Sequence, residues 1–272
     1  MEHTVCTLKV PLHIVKARRE QLAELLQRNR FLSLAELCKQ LDVSVATARR
    51  DLAVLERDNV ITRTWGGALV DYNQRFPSFR ERQFKAHTAK RQIALAALRL
   101  IKPGMVCFFD SGSTVYAIAE ALTVKPVAGL RVVTNNLPVA DMLSDLKELH
   151  VEVIAGQYLA RQSILMGEQA RRSLRLWNFD LAFLSAEGMT QAGLWNSQAD
   201  VVKFQRAIVE RILRAYFCLD ASKLEHEAAE FLLPWTAIPG LITNATPERL
   251  KAAGIHLSRK QIIHARSMGT SA

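Results

Sequence analysis

The sequence predicts two domains, a small α+β unit followed by a larger α/β, Rossmann-like unit. Three observations carry that prediction. Helix start and stop signals recur between Arg18 and Leu55 and lead into two β-prone runs around Gly66-Gly67. Beyond residue 100 short apolar strands alternate with helical stretches, and a polar stretch containing Pro77 separates the two patterns. The expected boundaries are 14–70 for the first domain, 71–88 for a linker and 89–258 for the second. At 272 residues the chain is long enough to bury one small and one medium core.

The first domain reads as a winged helix-turn-helix. Arg18, Leu22 and Leu26 lie on one helical stretch, and Ser33-Leu34-Ala35-Glu36 has capping-box form, which starts a second, short helix. Asp42-Val43-Ser44 supplies turn and N-cap chemistry before a third. On that third helix Val45, Ala48, Leu52 and Leu55 recur at three- and four-residue spacing and form one apolar stripe. Ala46, Thr47 and Arg50 then fall on the opposite face near the helix N-terminus, where a recognition helix meets base edges in the major groove, with Arg49 on the flank and suited to a phosphate. Ser44 caps the same end. The run Val60–Val70 around Gly66-Gly67 is a hairpin, or wing. From it Arg63 can approach the sugar-phosphate backbone, while Trp65 either does the same or packs on the helices.

Charge agrees with a nucleic-acid partner. The formal net charge is +10; residues 1–90 hold 16 Lys+Arg against 10 Asp+Glu, and residues 91–272 hold 20 against 16. Per residue the first third is the more basic, as phosphate neutralisation requires.

The pattern Arg18-x3-Leu22-x3-Leu26, seventeen residues, Ser44-x2-Thr47-Ala48-Arg49-Arg50-Asp51-Leu52, then Arg63-Thr64-Trp65-Gly66-Gly67-Ala68, resembles the N-terminal winged helix of the DeoR family of bacterial transcriptional regulators. Trp65 stands where histidine or tyrosine is usual.

In the second domain Ala89–Ile101 reads as a helix closed by Lys102-Pro103-Gly104. Strands are expected at 105–109, 130–133, 151–154, 181–184, 215–219 and 240–243, with helices between most of them, including 115–122, 138–146 and 199–214. Repeated strand-helix units imply a largely parallel sheet covered on both faces. In such sheets ligands bind at the carboxyl ends of the strands. Those ends are polar here. Asp110-Ser111-Gly112-Ser113-Thr114 opens a helix with hydroxyls, a glycine and free amides, which suits an anionic phosphate. Thr134-Asn135-Asn136 offers side-chain amides for hydroxyls, Asp220-Ala221-Ser222-Lys223 adds a cation, and Lys203 is a further candidate from its helix.

These segments are also similar to the DeoR-family effector domain, so the resemblance spans Arg18 to about Leu250. The resemblance implies a fold related to ribose-5-phosphate isomerase and a small phosphorylated sugar as ligand. The matching positions are Asp110–Thr114, Val133–Pro138, Lys203 and Asp220-x-Ser222-Lys223. Ala155-Gly156 replaces the usual Gly-Gly, and Leu184-Ser185-Ala186-Glu187-Gly188-Met189 replaces Leu-Gly-Ala-Asp-Gly-Ile; Gly156 and Glu187 therefore border the expected pocket.

The expected function is a sequence-specific regulator, most often a repressor in this family, of a carbohydrate operon, with double-stranded operator DNA and a phosphorylated sugar as partners. A homo-oligomer, dimer or tetramer, is expected from two-fold operator sites. The alternative is a sugar-phosphate isomerase with an appended DNA-binding domain, using Asp110 or Glu187 as base; the paired carboxylates of such isomerases are incomplete because Gly188 follows Glu187. A structural DNA-coating protein fits the charge but not the second domain. No metal or cofactor is expected, since Cys6, Cys38, Cys107 and Cys218 are widely separated and the histidines are scattered. Cys107 and Cys218 sit inside apolar runs, as core residues of a reduced protein do, and with the lack of a long apolar run or signal-peptide core this makes a cytoplasmic protein the expectation.

Overall fold

The structure is a computed structural model, and it describes residues 11–28, 32–57, 61–63, 67–70, 78–212 and 214–265. The chain divides into two compact units, Met1–Phe76 and Pro77–Ala272.

The first unit contains α1 (Leu12–Arg28), β1 (Leu32–Ser33), α2 (Leu34–Leu41) and α3 (Val45–Arg57), then β2 (Ile61–Arg63) and β3 (Gly67–Val70). The three strands form an antiparallel sheet in the order β1-β3-β2. Both helix starts follow from local chemistry. Ser33 and Glu36 make the reciprocal capping box of α2, and Asp42 closes that helix in the left-handed conformation at φ 50°. Ser44 Oγ accepts from the Thr47 N–H at 3.2 Å, which caps α3. Leu22 and Leu26 of α1, Leu37 of α2, and Ala48, Leu52 and Leu55 of α3 are buried, so the expected stripe packs. Val45 does not join it: it is 47 % exposed, because the stripe meets α1 and α2 only from the second turn of α3 onward.

The second unit begins earlier than the expected boundary at residue 89. Residues 71–77 of the expected linker lie outside the described residues. From Ser78 the chain is already structured: Ser78 and Glu81 form another capping box at the start of α4 (Phe79–Gln83), followed by α5 (His87–Leu98). Phe79 is buried, meets Tyr116 edge-on at 5.2 Å, and its N–H donates to the Arg161 carbonyl at 3.0 Å. The polar composition of this stretch concealed one apolar anchor and one cap.

Then come β4 (Val106–Phe109), α6 (Ser113–Val124), β5 (Leu130–Thr134), α7 (Leu137–Ser144), β6 (Leu149–Val153), β7 (Gln157–Leu159), β8 (Ile164–Met166) and α8 (Glu168–Ser173). The rest is β9 (Leu181–Leu184), β10 (Gly188–Thr190), β11 (Gly193–Asn196), α9 (Ala199–Arg211), β12 (Ala215–Cys218), β13 (Glu230–Pro234), β14 (Leu241–Thr243), α10 (Pro247–Ala252) and β15 (Ile262–His264). Seven strands form a sheet in the order β15-β14-β12-β9-β4-β5-β6, and each pairing in it is parallel. Strand β15 extends the domain past the expected end at residue 258.

Alternation along each strand divides the core between the two faces. Phe108, Leu184, Phe217 and Leu241 pack in one apolar cluster. Their neighbours Phe109, Phe183, Cys218 and Ile242 pack in the other. Burial pushes the Cys107 thiol up to about 12, so it is an inert core residue. Two departures from plain strand-helix alternation matter for the site. Strands β7 and β8 form a hairpin after β6, and β10, β11 and β13 form a small antiparallel sheet.

Candidate functional site

In the first unit, the capped start of α3 places side chains on the solvent side. Ser44, Ala46, Arg49 and Arg50 are exposed, and Thr47 is half-buried with its hydroxyl 3.0 Å from that of Ser44. One turn on, Asp51 is 2 % exposed and accepts from Arg18 Nε at 2.6 Å and Arg19 Nε at 2.8 Å. This ion-pair cluster ties α3 to α1 and sets the angle at which the exposed face is presented. The sequence signal for this cluster is a carboxylate, Asp51, falling on the buried side of an amphipathic helix, and it was missed because its partners lie on another helix. Arg63 lies on β2 opposite Ala68 of β3, with its side chain outside the described residues. Trp65 lies outside them altogether.

In the second unit, β12, β9, β4 and β5 are consecutive neighbours in the sheet, so their carboxyl ends are contiguous. That order brings together Asp220–Lys223, Ser185–Glu187, Asp110–Thr114 and Thr134–Asn136. Asp110, Thr134, Asn135 and Asn136 are completely buried, and Ser113 and Thr114 nearly so. Ser111 is half-buried. Gly112 caps α6 at φ 116°, and a Cβ there would sit 2.7 Å from Ser185 Cβ and Oγ, so both the backbone conformation and the close approach require glycine. Thr134 Oγ1 donates to the Phe109 carbonyl at 2.6 Å and accepts from the Asn136 N–H at 2.9 Å, which locks the end of β5 to that of β4.

Asp110 accepts from Asn135 Nδ2 at 3.1 Å and from Gln205 Nε2 at 2.6 Å. Burial pushes its carboxyl up to about 6, against the opposing pull of the Gln205, Ser111 and Asn135 donors. Three buried polar atoms in this cluster have no hydrogen-bond partner: Asn135 Oδ1, Asn136 Oδ1 and Asn136 Nδ2. Neither α6 nor α7 has a side-chain cap. At α7 the Leu137 N–H donates to the Ser163 carbonyl, Pro138 has no N–H, and the Val139 N–H donates to the Asn136 carbonyl, so the helix N-terminus open to a ligand beside these atoms is that of α6.

On the β12 side, Asp220 is 2 % exposed and accepts from the Ser222 N–H at 3.0 Å and from Ser222 Oγ at 2.5 Å; Lys223 is half-buried. A second cation stands here that the sequence reading missed. Lys90 of α5 is buried and donates to the Arg82 carbonyl at 2.5 Å. Burial lowers its pKa to about 8; the Asp220 charge opposes that shift and those of Lys223 and Arg82 reinforce it. The sign of its role was in the spacing, since Lys90, Ile93, Ala94 and Ala97 share one buried stripe.

Lys203 is not part of the cluster. Its side chain is 64 % exposed and pairs with Asp200 at 3.7 Å. Two residues further on, Gln205 is the polar residue among the buried ones of α9, at 1 % exposed. A helix turns 100° per residue, so an error of two positions exchanges the solvent face for the core. Gly156 acts through backbone packing: a Cβ there would lie 2.8 Å from the Met166 carbonyl at the base of the β7–β8 hairpin. Glu187 is half-buried and accepts from the Ser197 hydroxyl. Both candidate bases for turnover, Asp110 and Glu187, are thus engaged in internal hydrogen bonds. Among the described residues no cluster suits a metal ion, and no helix is long and apolar enough to cross a membrane.

Comparison with known proteins gives matches along most of the chain. Residues 18–74 match the DeoR-like helix-turn-helix domain and residues 85–245 the DeoR C terminal sensor domain. Relatives include the HTH-type transcriptional regulator UlaR of Shigella dysenteriae serotype 1 and that of Escherichia coli O127:H6. Each is 29 % identical over 254 residues, which cover 90 % of this chain and all of the relative. Among solved structures, ribose 5-phosphate isomerase A from Methanocaldococcus jannaschii is 15 % identical with a TM-score of 0.36, covering 50 % of this chain and 54 % of that one. The translation initiation factor eIF-2B of Pyrococcus horikoshii is 17 % identical with a TM-score of 0.44, covering 86 % and 82 %.

Proposed function

From the premise that the chain belongs to the DeoR family of transcriptional regulators, whose sensor domain matches more than half of it, we propose that it represses a carbohydrate operon in the cytoplasm and releases its operator in response to a phosphorylated sugar. Ser44, Ala46, Thr47 and Arg50 meet base edges, Arg49 holds a phosphate, and Arg63 and Trp65 reach the backbone from the wing. The effector's phosphate sits on the amides of Gly112–Thr114 at the start of α6 with Lys223 as counter-charge, and its hydroxyls face Asn135 and Asn136. Lys90, which shares the electrostatic environment of Asp220 and Lys223, joins this set.

The observation that carries the reading is the set of three unpartnered polar atoms on Asn135 and Asn136, fully buried at the carboxyl end of β5. A buried donor or acceptor without a partner costs roughly 1–3 kcal/mol, which a ligand offering hydroxyls and acceptors returns. Regulation requires only that effector binding differ between DNA-competent and DNA-incompetent arrangements, and DNA then weakens effector binding by the same factor. Two-fold operators favour a two-fold protein, so the active species is a homodimer or homotetramer. Sedimentation at micromolar concentration tests this, and a monomer that binds a half-site as tightly as a full site would contradict it. For the effector, a thermal-shift screen of phosphorylated sugars followed by operator binding with and without the hit is decisive. A hit that stabilises the protein and weakens operator binding is expected; the absence of any hit across pentose, hexose and triose phosphates would overturn the ligand class.

A further inference from the structure

The polar residues behind the strand ends form a directional chain whose sense is fixed by backbone groups. The Ser197 N–H can only donate, and it donates to Asn196 Oδ1 at 3.0 Å. Asn196 therefore turns Nδ2 towards Gln205 Oε1, 3.2 Å away. On the other edge of the same amide, Gln205 Nε2 donates at 2.6 Å to the Ser185 carbonyl, which can only accept, and at 2.6 Å to Asp110 Oδ2. Two independent backbone groups thus impose one orientation on Gln205. Asp110 hands the sense on. Its Oδ1 accepts from Asn135 Nδ2 at 3.1 Å, so the opposite edge of the Asn135 amide is an acceptor, Oδ1, fully buried and without a partner.

We propose that Gln205 is a positioning and specificity-determining residue of the effector site: through Asp110 it orients Asn135 so that the site offers an acceptor there, which takes a ligand hydroxyl and refuses a phosphate oxygen. This rests on the reading that the strand ends bind a phosphorylated sugar, and it deepens that reading by assigning the polarity of the sugar end. An unprotonated phosphate oxygen against Asn135 Oδ1 would bring two acceptors together and leave both desolvated and unpaired. A hydroxyl donates to it and completes the chain. Selectivity of this kind exceeds what shape alone supplies, because a site built around a hydrogen bond strongly disfavours a group that cannot make it.

Calorimetric titration of the full-length protein with inorganic phosphate and with a panel of pentose and hexose phosphates tests the proposal. The quantity read is the preference, the Kd for phosphate divided by the Kd for the tightest sugar phosphate. Wild type should show a preference of at least about tenfold. Gln205→Met keeps the volume and removes the donor that holds the buried Asp110 as an acceptor-only carboxylate; once protonated, that carboxyl can donate to Asn135 Oδ1 and reverse the amide, so phosphate affinity should stay within about twofold while the preference falls about tenfold, a split that a packing role alone would not produce. Asp110→Asn keeps the shape and reverses the chain, since an amide there can accept from Gln205 and donate to Asn135; the preference should collapse in that variant too, and it decides the matter if Gln205→Met does not fold. A wild-type protein without preference, or variants that keep it, would overturn the proposal. A wild-type protein that binds neither phosphate nor any sugar phosphate would instead overturn the underlying site reading.

Discussion

On α3 the polar residues proposed to meet DNA, Thr47, Arg49 and Arg50, reach solvent from the first two turns, and the buried Asp51 holds the helix in place. At the strand ends of the second unit the relation is reversed. Asp110, Thr134, Asn135 and Asn136 are fully buried, and the exposed candidate Lys203 stands apart. The difference follows from the size of the ligand. A duplex is too large to be enclosed, so groups that read it must protrude. A small ligand is enclosed, so the groups that read it are set in advance in a low-dielectric interior, where a satisfied network fixes their orientation and an unsatisfied atom is costly.

The comparison breaks most visibly at Asp51. If its role is structural, Asp51→Ala strands two partly buried arginines and destabilises the first unit by about 3 kcal/mol, at the low end for breaking a buried pair because Arg18 and Arg19 keep some solvent. Calorimetry should show the unfolding transition of the small unit moving down while that of the large unit stays. An unchanged small-unit transition would mean that Asp51 is not what seats α3.

Next in size is a pH effect confined to the large unit. The folded Asp110 carboxyl, raised to about 6 from an ordinary 3.8, binds a proton more tightly than the unfolded chain does. Between about pH 4 and 6 the folded state therefore carries a proton that the unfolded state lacks, and stability falls as pH rises through that window, by no more than about 3 kcal/mol. Comparing denaturant unfolding of wild type and Asp110→Asn across pH 4–8 isolates this contribution. Equal slopes in the two proteins would show that Asp110 is not the buried acid.

On the exposed side the effects are smaller and appear only with DNA. Arg50→Ala should cost about 1–3 kcal/mol and relax discrimination at one operator position, whereas Arg49→Ala should weaken all sequences alike and reduce the salt slope by about 1. If both substitutions lowered specific and non-specific binding equally, α3 would not be reading bases.

How much of this was legible in the sequence follows the same division. The exposed face of α3 could be read because capping and periodicity are local: Ser33 with Glu36 and Ser44 with Thr47 act within three residues. The strands of the parallel sheet were legible from their apolar runs, and the sites after them from the rule that ligands gather at carboxyl ends. What escaped was long-range pairing. Gln205 reaches Asp110 across 95 residues of sequence and Arg18 reaches Asp51 across 33, and no local pattern marks either partner. Lys90 and the structured half of the expected linker were missed for another reason, because their polar letters hid a buried stripe and an apolar anchor. The antiparallel β10–β11–β13 sheet interrupts the strand-helix rhythm and leaves Glu187 just before β10, where its N–H donates to the Trp195 carbonyl and its carboxylate accepts from the Ser197 hydroxyl.

In the proposed regulation, the buried strand-end cluster of the large unit controls DNA binding by the small one. The most direct test is operator affinity of the full-length protein as a function of the sugar phosphate that stabilises it most, in wild type and in Lys223→Ala. Wild type should lose operator affinity as ligand is added; Lys223→Ala should bind the operator as wild type does without ligand, bind the effector more weakly by roughly 1.5–3 kcal/mol, and need correspondingly more of it to release DNA. An operator affinity that falls along the same ligand titration in both proteins would contradict the claim and place the controlling site elsewhere.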